Sequence, residues 1–270
     1  MVIHSFPVVE KAYAKVNLYL DVLRKREDGY HDIVGLFQTI DLHDVLIIHY
    51  LDKPGISVES DVQIVGKNLV EKAYEVFSKY YKVDFGLHVI LKKRIPIGGG
   101  LGGGSTDAAA LLRFFSRIYH VPKDDLIQIA SEVGSDVPFL LFGGTAIVEG
   151  KGEKITWLEP ISGYAVNLHC PGVTVSTKEA YSMLSIELFA KGPKPVEHLY
   201  EAYLKRDFEK IKNMSYNIFE NVVALHYPQI KQEIENAWNE KPIVAMLTGS
   251  GSCVFAVHDE SIGMYKFCVI

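Results

Sequence analysis

Cysteine is scarce in this chain. Three residues in 270 (Cys170, Cys253 and Cys268) lie far apart, which points away from a disulfide framework or a clustered metal site and toward a reduced compartment. Long hydrophobic runs are missing too. The most apolar stretch, residues 137–148, contains two glycines, and a membrane helix needs about 20 apolar residues. There is no excess of basic residues either. Lys and Arg number 28 against 33 Asp and Glu, for a net charge of -5, whereas a nucleic-acid protein usually shows a basic face. The first residues show no basic segment followed by an apolar one, so a secretory signal is not expected. No internal repeat or low-complexity segment appears. With 48% hydrophobic residues, the chain can bury a substantial core in one large or two modest domains, and a soluble, cytoplasmic protein is expected.

What the chain has in excess is glycine in one place. Gly98, Gly99, Gly100, Gly102, Gly103 and Gly104 surround Leu101, after Pro96 and before Ser105-Thr106-Asp107-Ala108. Each glycine loses backbone entropy on folding, so such a cluster implies backbone that must come close to something. The run follows a β-type segment ending at Arg94 and leads into an Ala/Leu helix. That order converges amide N–H groups at the positive end of a helix dipole, a cradle for phosphate. Ser105, Thr106 and Asp107 read as cap-type side chains. A Walker A loop is excluded because no Gly-Lys-Ser/Thr follows. A dinucleotide fingerprint can be threaded through so many glycines by chance, and it belongs at a first strand. A flexible linker would not run straight into a capped helix.

Periodicity gives the rest in outline. Residues 8–23 read as a strand, with Lys15 and Asn17 on one face. Asp28-Gly29 marks a turn, an apolar segment follows to Ile40, and residues 45–50 and 56–65 read as further strands. Asn68 to Tyr81 carries an apolar stripe at helical spacing, then comes a strand over 85–94 and a helix from Ser105 to about Tyr119. Pro122 opens another helix, which Gly134-Ser135-Asp136 interrupts. Strands are expected near 145–148, 164–170, 244–247 and 253–257. A helix starts at Ser176, a break falls at residues 192–195, and helical patterns follow to Trp238. The fold class is α+β in two lobes, with domains over residues 1–155 and 156–270.

Phosphoryl transfer needs a phosphate nest, a cation for developing charge and a group that takes the acceptor's proton. The residues alone leave those roles open. Lys15 and Asn17 fit a solvated edge, Asp136 a helix cap, Tyr30 a core ring, His31 a surface residue, and Thr248-Gly249-Ser250-Gly251-Ser252 a plain turn.

The segment Pro96-x-x-x-Gly100-Leu101-Gly102-Gly103-Gly104-Ser105-Thr106-Asp107-Ala108-Ala109 resembles the ATP loop of the GHMP kinases. Ala14-Lys15-Val16-Asn17-Leu18, Gly29-Tyr30-His31, Asp136-Val137-Pro138-Phe139, Ser176-Thr177-x-x-x-Tyr181 and the turn 248–253 resemble further segments of that family, in order. Together they resemble the branch whose alcohol substrate carries a cytidine diphosphate. The resemblance implies a two-lobed GHMP fold with ATP and substrate in the cleft between lobes, ATP and Mg2+ as requirements, a small-molecule substrate, and no nucleic-acid or membrane partner, in a monomer or homodimer. It implies Asp136 as base and Lys15 as its catalytic neighbour. ATP would meet Asn68 and Pro96, Gly98, Gly99, Gly100, Leu101, Gly102, Gly103, Gly104, Ser105 and Thr106, with Ser105 or Thr106 reaching the metal. Asn17, Tyr30, His31, Phe37, Thr177 and Tyr181 would meet the substrate, Phe37 standing where relatives can carry a tyrosine. Homoserine- or mevalonate-type kinases, a catalytically silent nucleotide-binding relative and a dinucleotide oxidoreductase are the competing readings.

Overall fold

A computed structural model describes residues 6–64, 66–189 and 195–270. The break expected at 192–194 and the end of the strand expected at Val65 lie outside the described residues. The elements run β1 (Val8–Lys25), β2 (His31–Leu51), β3 (Gly55–Ser60), α1 (Leu69–Tyr80), β4 (Gly86–Lys92), α2 (Gly103–Tyr119), α3 (Lys123–Val133), α4 (Val137–Leu140), β5 (Thr145–Gly150), β6 (Lys154–Leu158) and β7 (Tyr164–His169). They continue with α5 (Thr177–Ser182), α6 (Val196–Lys205), α7 (Phe208–Met214), β8 (Tyr216–Asn217), α8 (Glu220–His226), α9 (Pro228–Asn239), β9 (Val244–Leu247), β10 (Val254–Asp259) and β11 (Tyr265–Lys266). The fold is α+β, and it forms two compact units that are interleaved in sequence.

Unit 1 takes the chain up to Ala14, then Leu42–Ile95 and Gly103–Leu141. In it the later part of β2 pairs antiparallel with β4, and β3 pairs parallel with β4 on its other side. Helix α1 forms where the sequence places it because Asn68 caps it, its side chain accepting from the Val70 amide at 2.9 Å. The buried stripe of α1 (Val70, Ala73, Tyr74, Val76, Phe77) meets α2, with the rings of Phe77 and Phe115 stacked at 4.4 Å between centroids. Arg113 of α2 donates to Leu140 O and Lys11 O, and burial pushes its pKa down to about 10.

Unit 2 takes Lys15–Asp41, Pro96–Gly102 and Phe142–Ile270. Here β5 pairs with β2 over Ile33–Gln38 and with β6, and β8 pairs parallel with β1 at Tyr19 and Leu20. A second sheet has the order β11-β7-β10-β9. The last residues return to the first sheet, Thr39 donating to Cys268 O at 2.6 Å while the Cys268 amide donates to Thr39 O.

Four expectations are corrected. The strand expected to start at Val45 instead runs from His31 as β2, taking in the apolar segment to Ile40, because Asp44 is fully buried with an ionic partner and does not end the strand. Strand β6 alternates over Lys154-Ile155-Thr156-Trp157, but it is five residues long with none of them buried, and the sequence reading gave it no strand. Helix α2 begins at Gly103, so Ser105, Thr106 and Asp107 lie inside the helix and are not caps. Finally, Cys170 and Cys253 form a disulfide, because β7 and β10 are antiparallel neighbours with His169 opposite Val254, which brings the next residues of each strand together. Cys268 is the free thiol.

Candidate active site

Unit 2 holds the first half of the glycine loop and a lysine fastened to it. Alternation along β1 turns Lys15 and Asn17 to one face, as their spacing implies, and both are buried, Asn17 fully. The Lys15 ammonium donates to Asn17 Oδ1 at 2.7 Å and to Gly100 O at 2.8 Å, and lies 5.3 Å from the centroid of the buried Phe37 ring. Asn17 Oδ1 also accepts from the Gly249 amide at 2.8 Å and from the Thr248 hydroxyl at 3.5 Å. Ammonium and amide can only donate, so the orientation of the Asn17 side chain is determined. Its Nδ2 is left buried with no hydrogen-bond partner among the described residues.

The turn at 248–253 is more than a connection between β9 and β10. Its Ser252 and Cys253 amides donate to Gly98 O and Gly99 O, each at 3.1 Å. Gly100 has φ +77°, and a Cβ there would stand 2.0 Å from Thr248 O, so only glycine fits. At Gly99 a Cβ would meet Cys253 Sγ at 2.5 Å, which places the disulfide directly behind the loop. The Leu101 carbonyl accepts from Lys15 N at 3.0 Å. With the carbonyls of residues 98–101 all spent on the protein, the amides of this stretch are the groups left to meet an anion.

The aromatic residues of unit 2 gather at the β1–β2 turn. His31 stacks with Tyr181 at 4.6 Å between centroids and 32° between planes, and meets Phe189 edge-on at 6.1 Å. Burial, with Lys25 nearby, lowers the pKa of His31, which favours the neutral imidazole. Tyr30 is exposed, with Lys151 Nζ 5.0 Å from its ring centroid. Asp32 is held by Arg26 and Arg24, whose hydrogen bonds keep its carboxyl below the usual carboxylate range. Thr177 accepts a hydrogen bond from Ser250 Oγ at 3.3 Å, while the cap of α5 is Ser176. Thus Tyr181, His31, Thr177, Phe37, Asn17 and Lys15, with Gly98–Leu101, belong to one unit, and Tyr30 stands at its surface.

Unit 1 holds the second half of the loop. Gly103 and Gly104 begin α2, Ser105 follows, and Thr106 is buried with an Oγ1 that has no partner among the described residues. Asn68 is engaged in capping α1. Asp136 precedes α4 in helical conformation and makes no side-chain cap hydrogen bond there. Capping therefore does not account for its carboxylate. Three groups escaped the sequence reading. Lys93, Asp44 and Asp107 form a buried ionic cluster, hidden because the two carboxylates lie 49 and 14 residues from the lysine in sequence. Asn217 of β8 donates to Leu247 O and Gly249 O at 2.7 and 2.9 Å and supports the 248–253 turn. The Cys170–Cys253 pair completes the set. Among these, Asp44 carried one visible signal, a carboxylate within an apolar strand run.

Family models for the GHMP kinases N terminal domain and GHMP kinases C terminal match residues 68–144 and 199–262. The fold is also that of solved small-molecule kinases. A homoserine kinase from Cytophaga hutchinsonii superposes with a TM-score of 0.71 at 21% identity, covering 96% of this chain and 88% of that one. Fold and glycine loop together define a small-molecule kinase that uses ATP. Among relatives, a 4-diphosphocytidyl-2-C-methyl-D-erythritol kinase of Pseudothermotoga lettingae is 56% identical over 99% of this chain and 97% of its own length. Another, of Thermotoga maritima, is 51% identical over 95% and 94%. A solved structure of a 4-(cytidine 5'-diphospho)-2C-methyl-D-erythritol kinase matches with a TM-score of 0.79 at 31% identity, over 92% of this chain and 89% of that one. The chain belongs to the GHMP kinase family, in its 4-diphosphocytidyl-2-C-methyl-D-erythritol kinase branch.

Proposed function

We propose that the chain transfers the γ-phosphoryl group of ATP to the 2-hydroxyl of 4-diphosphocytidyl-2-C-methyl-D-erythritol, giving the 2-phosphate and ADP, a step of isoprenoid precursor synthesis. The observation that carries it is the buried Lys15 ammonium, fixed by Asn17 Oδ1 and by Gly100 O of the loop itself. A cation so restrained stabilises charge developing on transferring oxygens without reorganising at the moment of reaction. The close relatives named for this reaction support the choice of substrate.

In this reading Asp136 takes the proton of the 2-hydroxyl as its oxygen bonds to the γ-phosphorus and the bridging β,γ bond breaks toward ADP. The amides of Gly98 to Gly104 hold the phosphates, with Pro96, Leu101, Ser105 and Thr106 shaping the cradle and Asn68 beside the nucleotide. Tyr30, His31 and Tyr181 receive the cytosine by stacking and by hydrogen bonds from a neutral imidazole. Thr177 and Asn17 contact the rest of the substrate, Asn17 through its unpartnered Nδ2. Phe37 acts through Lys15, whose ammonium lies over its ring.

Mg2+ fits the donor set. Among the described residues no cluster of three His, Cys, Asp or Glu could cage a metal, but Mg2+ commonly rides on substrate phosphates with few protein ligands. Ser105 Oγ or the unpartnered Thr106 Oγ1 would hold it, and the ion would neutralise charge on the phosphates. The family models lie on either side of residue 155, which supports a nucleotide-binding part over 1–155 and a substrate-side part over 156–270.

The test is ADP release by the purified chain with ATP and Mg2+, with and without the cytidyl alcohol, alongside Asp136→Asn. Substrate-dependent turnover falling about 10²- to 10⁴-fold in the variant, with ATP binding kept, is the expected result. Turnover with homoserine or mevalonate in place of the cytidyl alcohol overturns the substrate. Near-full activity of Asp136→Asn overturns the base.

A further inference from the structure

The chemistry proposed above leaves one buried charged cluster unused. Lys93 is the residue after β4, and its ammonium is 6% exposed. It donates to Asp107 Oδ2 at 2.7 Å and, more closely still, to Asp44 Oδ2. Asp44, on β2, is fully buried, and the side chain of Asp107, just past the first turn of α2, is 3% exposed. The other oxygen of Asp44 accepts from the amides of Arg94 and, at 2.8 Å, Ile95, the two residues that lead into Pro96. The start of α2 closes on the same point, since a Cβ on Gly103 would lie 3.3 Å from Lys93 Nζ and 3.1 Å from Ile95 Cγ2. All of these groups belong to unit 1.

Two buried carboxylates against one ammonium are an expensive arrangement if stability alone is the object, since desolvating three charges is seldom recovered by their attraction. Burial, opposed by Lys93 and reinforced by the charge of Asp44, pushes the Asp107 carboxyl up to about 7. Its Oδ1 has no partner among the described residues. What the cluster does supply is geometry. The strand exit at 94–95 and the helix entry at 107 are tied to one ammonium, so the two ends of the glycine loop are held at a fixed spacing.

We infer that Lys93 and Asp107, with Asp44, are positioning residues for nucleotide binding, a clasp across the neck of the glycine loop that presets where its amides meet the phosphates. The inference rests on the loop being the ATP site. Asp107→Ala frees the helix entry while removing a poorly satisfied buried charge, so the variant keeps a wild-type melting temperature or gains a little. Asp107→Asn retains an acceptor for Lys93 and serves as the conservative rescue. Lys93→Met removes the centre of the clasp.

Binding of the Mg2+ complex of adenylyl imidodiphosphate is measured by calorimetry on the full chain, together with KM for ATP, KM for the alcohol and kcat. For Asp107→Ala a loss of about tenfold or more in analogue affinity and a matching rise in KM for ATP are expected, since a loop displaced by an ångström forfeits that much or more. KM for the alcohol stays within about twofold, and Asp107→Asn recovers most of the loss. Unchanged nucleotide affinity in a folded Asp107→Ala overturns the clasp, as does an equal loss in Asp107→Ala and Asp107→Asn. Should Lys93→Met not fold, the two Asp107 variants decide alone. Wild-type chain that binds the analogue without phosphorylating the cytidyl alcohol sinks the functional reading and leaves the clasp to the binding arm.

Discussion

Replacing Asn17 by alanine should separate a fastened lysine from a merely buried one. Asn17 Oδ1 is the shared acceptor of the Lys15 ammonium and the Gly249 amide. In the variant the Gly249 amide loses its acceptor, while the ammonium keeps Gly100 O and loses one restraint. An orphaned buried donor costs about 1–3 kcal/mol, so a loss of that size follows from the Gly249 amide. At about 2–4 °C per kcal/mol for a chain of this size, the melting temperature falls by roughly 2–12 °C. The activity loss has a separate origin. A cation that can leave its place no longer meets the developing charge, and loss of one such preorganised group costs about 10²–10³ in kcat. Calorimetric melting and ADP-coupled turnover, run below the variant's transition, read the two effects independently. A variant that melts early yet turns over at the wild-type rate would refute the role given to Lys15. Wild-type values for both would refute the geometry of the knot itself.

Two further outcomes follow from the 248–253 turn and the strand pair beneath it. Cys170→Ser opens a link that spans 83 residues of sequence, and chain-entropy arguments put the loss at about 4 kcal/mol, with about 2–4 usual in practice. The check is a lower melting temperature than wild type without reductant, while thiol titration of the unfolded wild-type chain finds Cys268 alone; three titratable thiols would remove the basis for the effect. Gly100→Ala must place a Cβ 2.0 Å from Thr248 O at φ +77°. A loss above about 3 kcal/mol is expected, from the left-handed backbone and the displaced turn together, with a raised KM for ATP, and wild-type melting would contradict it.

Much of this was legible in the sequence because the signals were local. Asn68 before an apolar stripe gives the start of α1, and the two-residue spacing of Lys15 and Asn17 gives their shared face. The glycine loop declares itself by composition. What could not be read were features made by strand register between distant segments. Cys170 and Cys253 meet only because β7 and β10 are neighbours, and Ser252 and Cys253 reach Gly98 and Gly99 only once that sheet exists. Asp107 misled for a different reason. Asp near a helix start usually caps or serves the dipole, and here a lysine fourteen residues earlier takes its carboxylate instead. Asp44 likewise failed to end its strand because its charge had a partner no periodicity could reveal.

The interleaving of the two units has a consequence for how the molecule is made. A ribosome delivers every residue of unit 1 by Leu141, so α1 to α4 can pack while synthesis continues. The carbonyls of Gly98 and Gly99 wait for Ser252 and Cys253, more than a hundred residues later. At translation rates of 5–20 residues per second that delay is roughly 5–20 s. The nascent chain therefore carries a loop already tied at both ends while the carbonyls of Gly98 and Gly99 still face water, and the loop's last anchors arrive with the last strands.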